Sequence, residues 1–549
     1  IMQGIDIARR QAVMARSQKL GHCICNPAHA CPCPPLLDFN VCPCAGERPP
    51  RKKGDAALTR HVRKAGCASK IGQADLLQIL RNLPEITDPR VLLGTAAGDD
   101  AGVFQLDDRR ALVQTVDVFT PCVDDAYVFG QIAAANSLSD IYAMGGTPLT
   151  ALSIVGFPID ELDGALMEEM LRGGIEKLDE AGCALVGGHS INDEEIKCGF
   201  AVTGLIEPAA VVARDQARPG DVLVLTKPLG SGMLSFAAQL GLLAGGVLEE
   251  AGAWMATLNK DAAGLMVKYN AHACTDVTGF GLAGHLVAML RGSGLNAEIE
   301  LPAVPVFGTV PDCIAHGVYG GGVDRNQAYA MSFVKTPPDA APGGLPVLFD
   351  PQTSGGLLIA LSESDGHAFV SEMLVRGHAA VSIIGRLLER DAGQVSSELR
   401  VTSTGLTHLI GSTAPLQPAA VPAAPAGEAR ASEGEPWAAC CDHLPERETA
   451  AAAPEAAPSL PGEGPLRGFR QFMKEANAPG TIDARHKKLM AIVLSIAHRC
   501  APCLKLHLDS ARAMGIPRAD IDEAAALAVA FGGCTAMVFY EEACRKIAW

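Results

Sequence analysis

The apolar and polar positions of this chain alternate between strand-like and helix-like runs from about residue 91 onward. Ala111 to Val118 predicts a strand, with Asp117 near its end. Tyr127 to Met144 is rich in Ala and Ile and predicts a helix that Gly145 and Gly146 terminate. Similar runs continue to about residue 400, so we expect an α/β or α+β core of two lobes.

The two ends of the chain differ from this core. Residues 1–20 are polar with a helical rhythm and predict a short amphipathic helix. From about Ser403 to Pro465, Ala, Pro, Glu and Gly dominate with little periodicity, which is typical of a disordered linker. The expected organisation is a Cys-rich extension and linker at 1–57, a first lobe at 58–207, a second lobe at 208–402, a linker at 403–465 and a helical domain at 466–549.

Composition narrows the class of protein. The 549 residues suffice for roughly three domains, and 48% hydrophobic residues are ample for packed cores. A formal net charge of −16 argues against a nucleic-acid scaffold. No run reaches the ~18 apolar residues of a membrane span, and no secretory signal is visible, so we expect a cytoplasmic protein. The 18 cysteines are then reduced thiols, metal ligands or catalytic groups rather than structural disulfides.

Acidic residues in tight, glycine-flanked settings are the first candidate chemistry. Asp99 and Asp100 are adjacent between Gly98 and Gly102, and Asp117, Asp140 and Asp276 are similarly placed. Carboxylates suit Mg²⁺ that carries phosphates, because this cation binds through a few carboxylates plus phosphate oxygens. We therefore expect these acids to converge on one metal–nucleotide site. Each Asp taken alone could instead be a turn or helix-cap residue.

Two glycine-rich segments add to this site. In Gly66–Gly72, Cys67 and Lys70 lie three residues apart and predict a mobile loop, in which the cation lowers the pKa of the thiol or binds phosphate. Gly188, His189 and Ser190 predict a turn whose backbone N–H groups approach a phosphate. The alternatives are an ordinary exposed loop and a structural turn histidine.

Three Cys-x-Cys pairs lie near the N-terminus. The six candidate soft-metal ligands are Cys23, Cys25, Cys31, Cys33, Cys42 and Cys44. Closely spaced thiolates chelate Zn²⁺, Cu⁺ or an Fe–S cluster, although this is not the usual spacing of zinc ribbons. The alternative is a disordered, incidentally Cys-rich leader.

A Cys-x-x-Cys motif lies in the C-terminal helical region. Cys500 and Cys503 stand at a predicted helix start, where exposed N–H groups lower the pKa of the first thiol, and His507 follows one turn later. Dithiol redox chemistry is the expected role. Zinc binding is the alternative, but it has no obvious fourth ligand.

From Leu58 to about Arg400 the chain resembles the selenophosphate synthetase (selenide, water dikinase) family. Six motifs occur in order: Gly66-Cys67-Ala68-Ser69-Lys70-Ile71, Asp99-Asp100-Ala101, Asn136 through Gly146, Gly187-Gly188-His189-Ser190, Thr275 through Gly281 and Asp350 through Gly356. The resemblance implies an aminoimidazole-ribonucleotide-synthetase-like fold of two α/β lobes, as a homodimer. It also implies synthesis of selenophosphate, AMP and phosphate from ATP, selenide and water.

The same resemblance implies roles for individual residues. Cys67 is the catalytic thiol and Lys70 the essential cation, while Asp100, Asp140 and Asp276 hold Mg²⁺. The ATP site is lined by Lys70, Ala97, Gly98, Asp99, Asp117, Asp140, Gly188, His189 and Ser190. A monovalent cation, and selenium-delivering and selenocysteine-synthesis enzymes as partners, are implied as well. Some relatives carry a second cysteine where this chain has Ser69.

Residues 466–549 resemble the carboxymuconolactone decarboxylase/AhpD-like family of all-α domains, through Cys500, Cys503 and His507. Peroxidase relatives usually carry a Glu where this chain has Lys488, which argues against a peroxidase proton relay and leaves dithiol exchange. Two alternative functions compete with the dikinase function. One is a selenium- or metal-binding redox carrier without turnover; the other is a purine-biosynthetic relative, which Cys67 and Lys70 disfavour.

Overall fold

A computed structural model describes residues 7–20, 42, 57–80, 83–84, 86–94, 99–336, 343–391, 393–403, 405–417, 483–497, 501–528 and 540. The chain divides into two units, Ile1–Pro422 and Ala423–Trp549. The first unit begins with helices α1 (Ile7–Leu20) and α2 (Gln73–Leu80). The helix expected within residues 1–20 is therefore confirmed.

The first lobe is a six-stranded sheet with two helices. Its strands are β1 (Val91–Leu93), β2 (Gly102–Gln105), β3 (Ala111–Phe119), β4 (Thr147–Phe157), β5 (Ala184–Asn192) and β6 (Lys197–Ile206). Its helices are α3 (Ala126–Ala143) and α4 (Gly164–Ala181). The strand order is β1-β2-β3-β6-β4-β5, and only the β4–β5 pair is parallel.

Helix α3 is almost wholly buried between the sheet and α4, which explains why its sequence is apolar on all sides. Asp125 caps its N-terminus by accepting from Val128 N. The α3–α4 contact is backbone to backbone: a Cβ on Gly130 would lie 1.8 Å from the Met170 carbonyl oxygen. The helix predicted over Tyr127 to Met144 is confirmed, and its glycine sets the approach of α4.

The second lobe is a seven-stranded mixed sheet in the order β11-β14-β9-β13-β7-β12-β8. Its strands are β7 (Val222–Leu225), β8 (Ala273–Asp276), β9 (Asn296–Glu300), β11 (Val334–Lys335), β12 (Leu357–Leu361), β13 (Ser382–Leu388) and β14 (Leu399–Ser403), and a separate pair is β10 (Val306–Phe307) with β15 (Leu409–Ile410). The helices are α5 (Ser231–Gln239), α6 (Val247–Ala256), α7 (Lys260–Lys268), α8 (Gly281–Ser293), α9 (Val310–Ala315), α10 (Gly321–Ala330) and α11 (Glu363–Val375). One continuous apolar core joins both lobes, so the expected two-lobed α/β architecture is confirmed.

Two predictions from the sequence were wrong: a turn that is part of a strand, and the position at which the linker begins. The segment Gly188-His189-Ser190 is not a turn but the middle of β5, paired with β4. A Cβ on Gly188 would lie 2.0 Å from Ser153 Oγ, so this glycine permits close strand pairing. The linker expected from residue 403 begins later, because β15 pairs with β10 and Leu416 N donates to Asp312.

The described part of the second unit contains helices α12 (Ala484–Ala497) and α13 (Ala501–Ala513) and a further helical stretch at 518–528. Ile492, Ile496, Leu504, Leu508 and Ile521 form its buried apolar core. The expected helical character is confirmed. Across the parts of both units that the structure describes, every helix falls short of the length and apolarity that crossing a bilayer requires.

Replacing Gly130 with Ala should lower the free energy of unfolding by roughly 2 kcal/mol or more, because the added methyl group overlaps the Met170 carbonyl. The control is Gly264→Ala in α7, where a Cβ meets nothing within 4 Å and Ala should add about 0.5–1 kcal/mol. Urea titrations of both variants measure the difference. Equal stability of the two variants would contradict the proposed α3–α4 contact.

Candidate active site

Strand β3 and helix α3 present two polar pairs to each other. Thr115 Oγ1 donates to Asp140 Oδ2 at 2.5 Å, and Asn136 Nδ2 donates to Asp117 Oδ2. Residues two apart on a strand and four apart on a helix are both separated by about 6–7 Å, so the two elements match. Asn136 and Asp140, four residues apart on α3, therefore share a face of the helix, and their polar groups lie at the sheet.

The Lys70 ammonium lies against the Asp117 carboxylate. Its Nζ is 2.6 Å from one oxygen and 2.8 Å from the other. Burial is the largest single effect and lowers the pKa of Lys70, but the Asp117 charge, the hydrogen bond to Asp117 and the neighbouring Cys67 and Asp140 together hold that pKa above its usual range. The ammonium therefore stays charged and sits where the acids converge.

The Cys67 side chain lies beside this ion pair. Residues Cys67–Ser69 form a single 3₁₀ turn, and Cys67 is only 1% exposed. Its Sγ faces Asn136 Oδ1 at 3.8 Å, and its backbone N donates to Thr353 Oγ1 at 3.0 Å. Gly66 enters the turn with φ +58°, and a Cβ there would lie 2.2 Å from Thr353 Oγ1. The thiol is thus held inside the site rather than on an exposed loop.

Lys70 lowers the pKa of this thiol as expected, but the fold does not leave an activated thiolate. Burial raises the pKa of Cys67 to about 12, although the Lys70 charge lowers it. Asp117 and Asp276 add to the increase. Desolvation therefore outweighs the neighbouring cation, and the buried group is a thiol.

The segment Gln352–Gly356 of the second lobe lies against Cys67 and Asn136, and we call it the strap. Ser354 N donates to Asn136 Oδ1 at 2.8 Å, and Ser354 has a positive φ of 48°. The Ser354 carbonyl accepts from Lys227 Nζ at 3.0 Å, which also donates to Thr257 O at 2.6 Å. A Cβ on Gly355 would lie 2.0 Å from the Val277 carbonyl oxygen. The strap therefore ties the second lobe to α3.

Three carboxylates, Asp100, Asp140 and Asp276, form what we call the acid cluster. Ligand atoms of Asp100, Asp276 and His285 all lie within 4.8 Å of one another. Thr275 Oγ1 donates to Asp100 Oδ1 at 2.8 Å. Asp100 Oδ2 and Asp276 Oδ2 are buried and have no hydrogen-bond partner. Unpaired buried carboxylate oxygens are costly unless another group binds them.

Burial and mutual repulsion set the charge state of the acid cluster. Burial, followed by the charge on Asp276, raises the pKa of Asp100 and Asp140 well above their usual range. Burial raises the pKa of Asp276 to about 6. Burial lowers the pKa of His285 to about 3, so its imidazole is neutral and its Nε2 accepts from Thr278 N at 3.1 Å.

These residues fit a divalent cation. Carboxylate oxygens are the ligands that Mg²⁺ prefers, and the two orphaned oxygens are acceptors without a donor. Protonation is the alternative that repulsion favours while no cation is bound. The acid cluster is therefore a candidate Mg²⁺ site.

Not all of the expected nucleotide-site residues come together. Asp99 lies beside Asp100, accepts from Arg214 N at 3.3 Å and has its pKa raised by burial. Ala97 and Gly98 lie outside the described residues. Gly188, His189 and Ser190 are exposed on β5, three strand spacings from β3, which is about 14 Å across the sheet. Their proposed contact with nucleotide stays a prediction.

Both lobes that form this site match known protein families. Residues 98–206 match the family described as AIR synthase related protein, N-terminal domain, and residues 218–397 match AIR synthase related protein, C-terminal domain. A selenide, water dikinase from Geobacter metallireducens is 49% identical over 335 residues, which are 61% of this chain and 97% of that relative. The chain belongs to the selenide, water dikinase family. A second member, from Trichlorobacter lovleyi, is 46% identical and covers 61% of this chain and 96% of its own length.

The comparisons also cover the C-terminal unit. Residues 465–543 match the carboxymuconolactone decarboxylase family, so the expected appended domain is confirmed. Among solved structures, that of a thiamine monophosphate kinase from Aquifex aeolicus aligns over 55% of this chain and 93% of its own, at 20% identity and a TM-score of 0.39. The chain therefore contains, after the dikinase core, a C-terminal domain that matches a different family.

The cysteine motifs outside the dikinase core are only partly described. Cys42 is buried, whereas Cys23, Cys25, Cys31, Cys33 and Cys44 lie outside the described residues. Cys500 and the side chain of Cys503 are likewise outside them. His507 Nδ1 lies 3.4 Å from Lys488 Nζ, and burial followed by the Lys488 charge lowers the pKa of His507. The imidazole is therefore neutral and faces the Lys488 ammonium.

Sequence reasoning missed two residues of the dikinase site. Lys227 is 4% exposed, and burial lowers its pKa to about 7 although Asp276 raises it. Its position after a strand, before Pro228, gave no sign of contact with the strap. His285 follows the Thr275–Gly281 motif in the sequence and was not predicted as a site residue. The one available signal was its spacing, since α8 begins just after that segment and places His285 one turn inside the helix.

Asp276→Asn should have opposite effects with and without ligand. In EDTA at pH 7.5 it should raise the free energy of unfolding by on the order of 1–3 kcal/mol, because a raised folded-state pKa costs stability above that pKa. The gain should shrink as the pH falls through 6 towards 4. With Mg²⁺ and a non-hydrolysable ATP analogue, the variant should lose the wild-type increase in Tm.

The control for this prediction is Asp88→Asn, which removes an exposed carboxylate paired with Arg90. It should leave both the free energy of unfolding and the ligand-induced increase in Tm close to their wild-type values, because an exposed ion pair contributes little to stability. Ligand stabilisation of Asp276→Asn equal to that of the wild type would contradict the assignment of the cation site.

Proposed function

We propose that this chain is a selenide, water dikinase that converts ATP, selenide and water into selenophosphate, AMP and phosphate. The observation that carries the proposal is the pair of orphaned oxygens in the acid cluster, beside an ammonium and a thiol. Identity of 49% to a protein named selenide, water dikinase supports the same reaction.

The acid cluster would hold the triphosphate through Mg²⁺, since bare carboxylates repel a polyanion. Asp100 and Asp276 would bind the cation through their unpaired oxygens, and Asp140 is the third candidate ligand. A bound Mg²⁺ supplies charge neutralisation and orientation of the phosphate groups. His285 is neutral and accepts from Thr278 N, so it fixes the turn that follows Asp276.

Lys70 supplies the positive charge on the other side of the phosphates. With Asp117 as its partner, the ammonium is held in place before nucleotide arrives. A phosphate oxygen would compete for the same ammonium, which stabilises charge on the transferring group. Asn136 joins the Asp117 carboxylate to the strap and keeps this arrangement rigid.

Cys67 would contact selenide rather than nucleotide. The thiol is buried with Thr353 and Asn136 around it, so selenide placed there would be shielded from water and oxidant. Because burial raises the pKa of Cys67 to about 12, the thiol can donate a hydrogen bond to a selenide anion. This role depends on closure of the Gly66–Gly72 segment over the site.

An exposed apolar surface on the first sheet supports a homodimer. Val116, Leu149, Leu152, Val186 and Ile191 are between 46% and 62% exposed. Val116 lies on the sheet face opposite Asp117 and α3, because side chains alternate along a strand. Apolar surface of this kind marks association more often than solvent contact. We propose that a second copy of the chain covers it.

The flanking cysteine segments would serve selenium or metal handling. Cys500 and Cys503 would exchange dithiol and disulfide, with the neutral His507 as proton acceptor. The N-terminal Cys-x-Cys pairs would bind a soft metal such as Zn²⁺ or an Fe–S cluster, which metal analysis of the purified protein decides. A cytoplasmic location and activation by a monovalent cation complete the proposal.

The decisive assay is AMP formation that depends on selenide. A redox carrier without turnover makes no AMP, and a purine-biosynthetic enzyme requires a ribonucleotide instead. Cys67→Ser should lower the rate of selenophosphate formation by roughly tenfold or more, because the group that positions selenide is changed. Cys183→Ser, which alters a buried thiol outside the site, is the control. A wild-type rate in Cys67→Ser would remove the proposed role of the thiol.

The C-terminal dithiol should matter only when selenium arrives oxidised. With a thiol reductant present to re-reduce the dithiol, Cys500→Ser should lower selenophosphate output from selenite but not from fresh selenide, because only selenite must gain six electrons, two from each oxidation of the dithiol. Cys440→Ser serves as a control outside the Cys-x-x-Cys motif. Equal loss of output from both selenium sources would count against a supply role for this domain.

A further inference from the structure

Arg325 makes an unusual set of contacts beside the segment Gly66–Gly72, which we call the thiol loop. It lies in the first half of α10, and its guanidinium donates to the carbonyl oxygens of Ala68 at 3.2 Å and Lys70 at 3.4 Å. Its Nε is buried and has no hydrogen-bond partner. Within the described part of the chain, no carboxylate forms an ion pair with it. The charge is directed at the loop backbone alone.

The thiol loop has few other attachments on this side. Ser69 Oγ and Lys70 N bond only within the turn, to the Gly66 and Cys67 carbonyls. Beyond Arg325, the ends of the loop are held by Gly66 N, which donates to Thr120 O, and by Gly72 O, which accepts from Leu76 N. Between its ends the loop is held by Thr353 at the Cys67 amide, by Asn136 at the thiol and by Asp117 at the Lys70 ammonium. The bond to Asp117 is the one that a phosphate would compete for. Arg325 therefore holds the loop at points that nucleotide does not reach.

Space for movement is present on the outer side of the loop. A cavity of about 220 Å³ lies there, lined by Ala68, Phe236, Gly322 and Arg325 among others. A Cβ on Gly322 would lie 3.6 Å from the Ala68 methyl group, so the start of α10 closely approaches the loop. The Ala68 side of the loop therefore borders open space, while Cys67 itself packs in the core.

We propose that Arg325 is a positioning residue that fixes the closed thiol loop, and thereby places Cys67 and Lys70 over the acid cluster. The guanidinium provides two charge-assisted hydrogen bonds from one rigid group to two carbonyls two residues apart. It touches neither nucleotide nor selenide. The importance of this positioning for turnover rests on the proposed dikinase function, but the closure itself does not.

The test is alkylation of Cys67 by iodoacetamide, followed by mass spectrometry of its peptide in the full-length chain. Arg325→Met removes the donors and keeps most of the apolar stem. It should speed modification of Cys67 by roughly 10- to 100-fold, which corresponds to losing one or two such bonds. Arg325→Lys should give an intermediate rate, because both bonds come from the terminal nitrogen Nη2, and the shorter lysine side chain cannot place its ammonium at the same distances from the two carbonyls.

Two controls separate loop opening from general loss of stability. Cys198, buried in β6, should keep its wild-type rate of modification in every variant. Arg291→Gln, which alters an arginine on α8 that contacts Tyr329, should leave Cys67 protected. An unchanged Cys67 rate in Arg325→Met, or equal acceleration of Cys67 and Cys198, would overturn the proposal.

Turnover gives a separate readout. Arg325→Met should lower kcat for selenide-dependent AMP formation by roughly tenfold, with KM for ATP changed by less than about threefold, because the acid cluster is intact. An unchanged kcat would overturn the link between loop closure and chemistry. If the wild-type protein formed no AMP from selenide, the dikinase proposal would fail, and the alkylation rates would still decide the role of Arg325.

Discussion

The repulsion between carboxylates that share a buried site is the constraint on which the rest of the structure depends. Burial raises the pKa of Asp100, Asp140 and Asp276, and the charge on Asp276 adds to the increase at the other two. Such a cluster lowers stability unless cations or protons neutralise it. The two lysines of the site, Lys70 and Lys227, supply only part of that neutralisation. The remaining demand for positive charge favours a cation-binding cluster over a structural ion-pair network.

The fold meets this constraint by bringing together segments from both lobes. Asp117 and Asp140 come from β3 and α3 of the first lobe, while Asp276 ends β8 of the second. The strap joins the two halves: Lys227 holds the Ser354 carbonyl, and the Ser354 amide donates to Asn136. A path of hydrogen bonds therefore runs from the second sheet through the strap to Asp117 and Lys70. Movement of one lobe relative to the other would disturb the ion pair directly.

Local pattern was enough to predict the elements and several of the site residues. The spacing of Asn136 and Asp140 on one helix, and the position of Asp117 near a strand end, placed three side chains correctly. What the sequence could not show were contacts between distant segments. Cys67 meets Thr353 across 286 positions, and Arg325 meets Ala68 across 257. Neither contact has a local signature, because each depends on the packing of the two lobes.

The error over the Cys67 pKa has a related cause. A cation three residues away in sequence suggested an activated thiolate, but the sequence does not reveal how completely the fold desolvates the thiol. The error over Gly188-His189-Ser190 is of the opposite kind. There the glycines looked like a turn, whereas Gly188 allows a neighbouring strand to approach Ser153. In both segments a glycine marks a place where another group lies very close to the backbone. Only the fold shows whether that group is a neighbouring strand or a ligand.

The measurement that bears most directly on this account is a crystal structure with Mn²⁺ and a non-hydrolysable ATP analogue, with manganese located by its anomalous scattering. We expect a peak bound by Asp100 and Asp276 through the oxygens now unpaired, with the triphosphate beside it and Lys70 turned towards a phosphate. Nucleotide bound elsewhere, with no metal peak between these two carboxylates, would contradict the central claim.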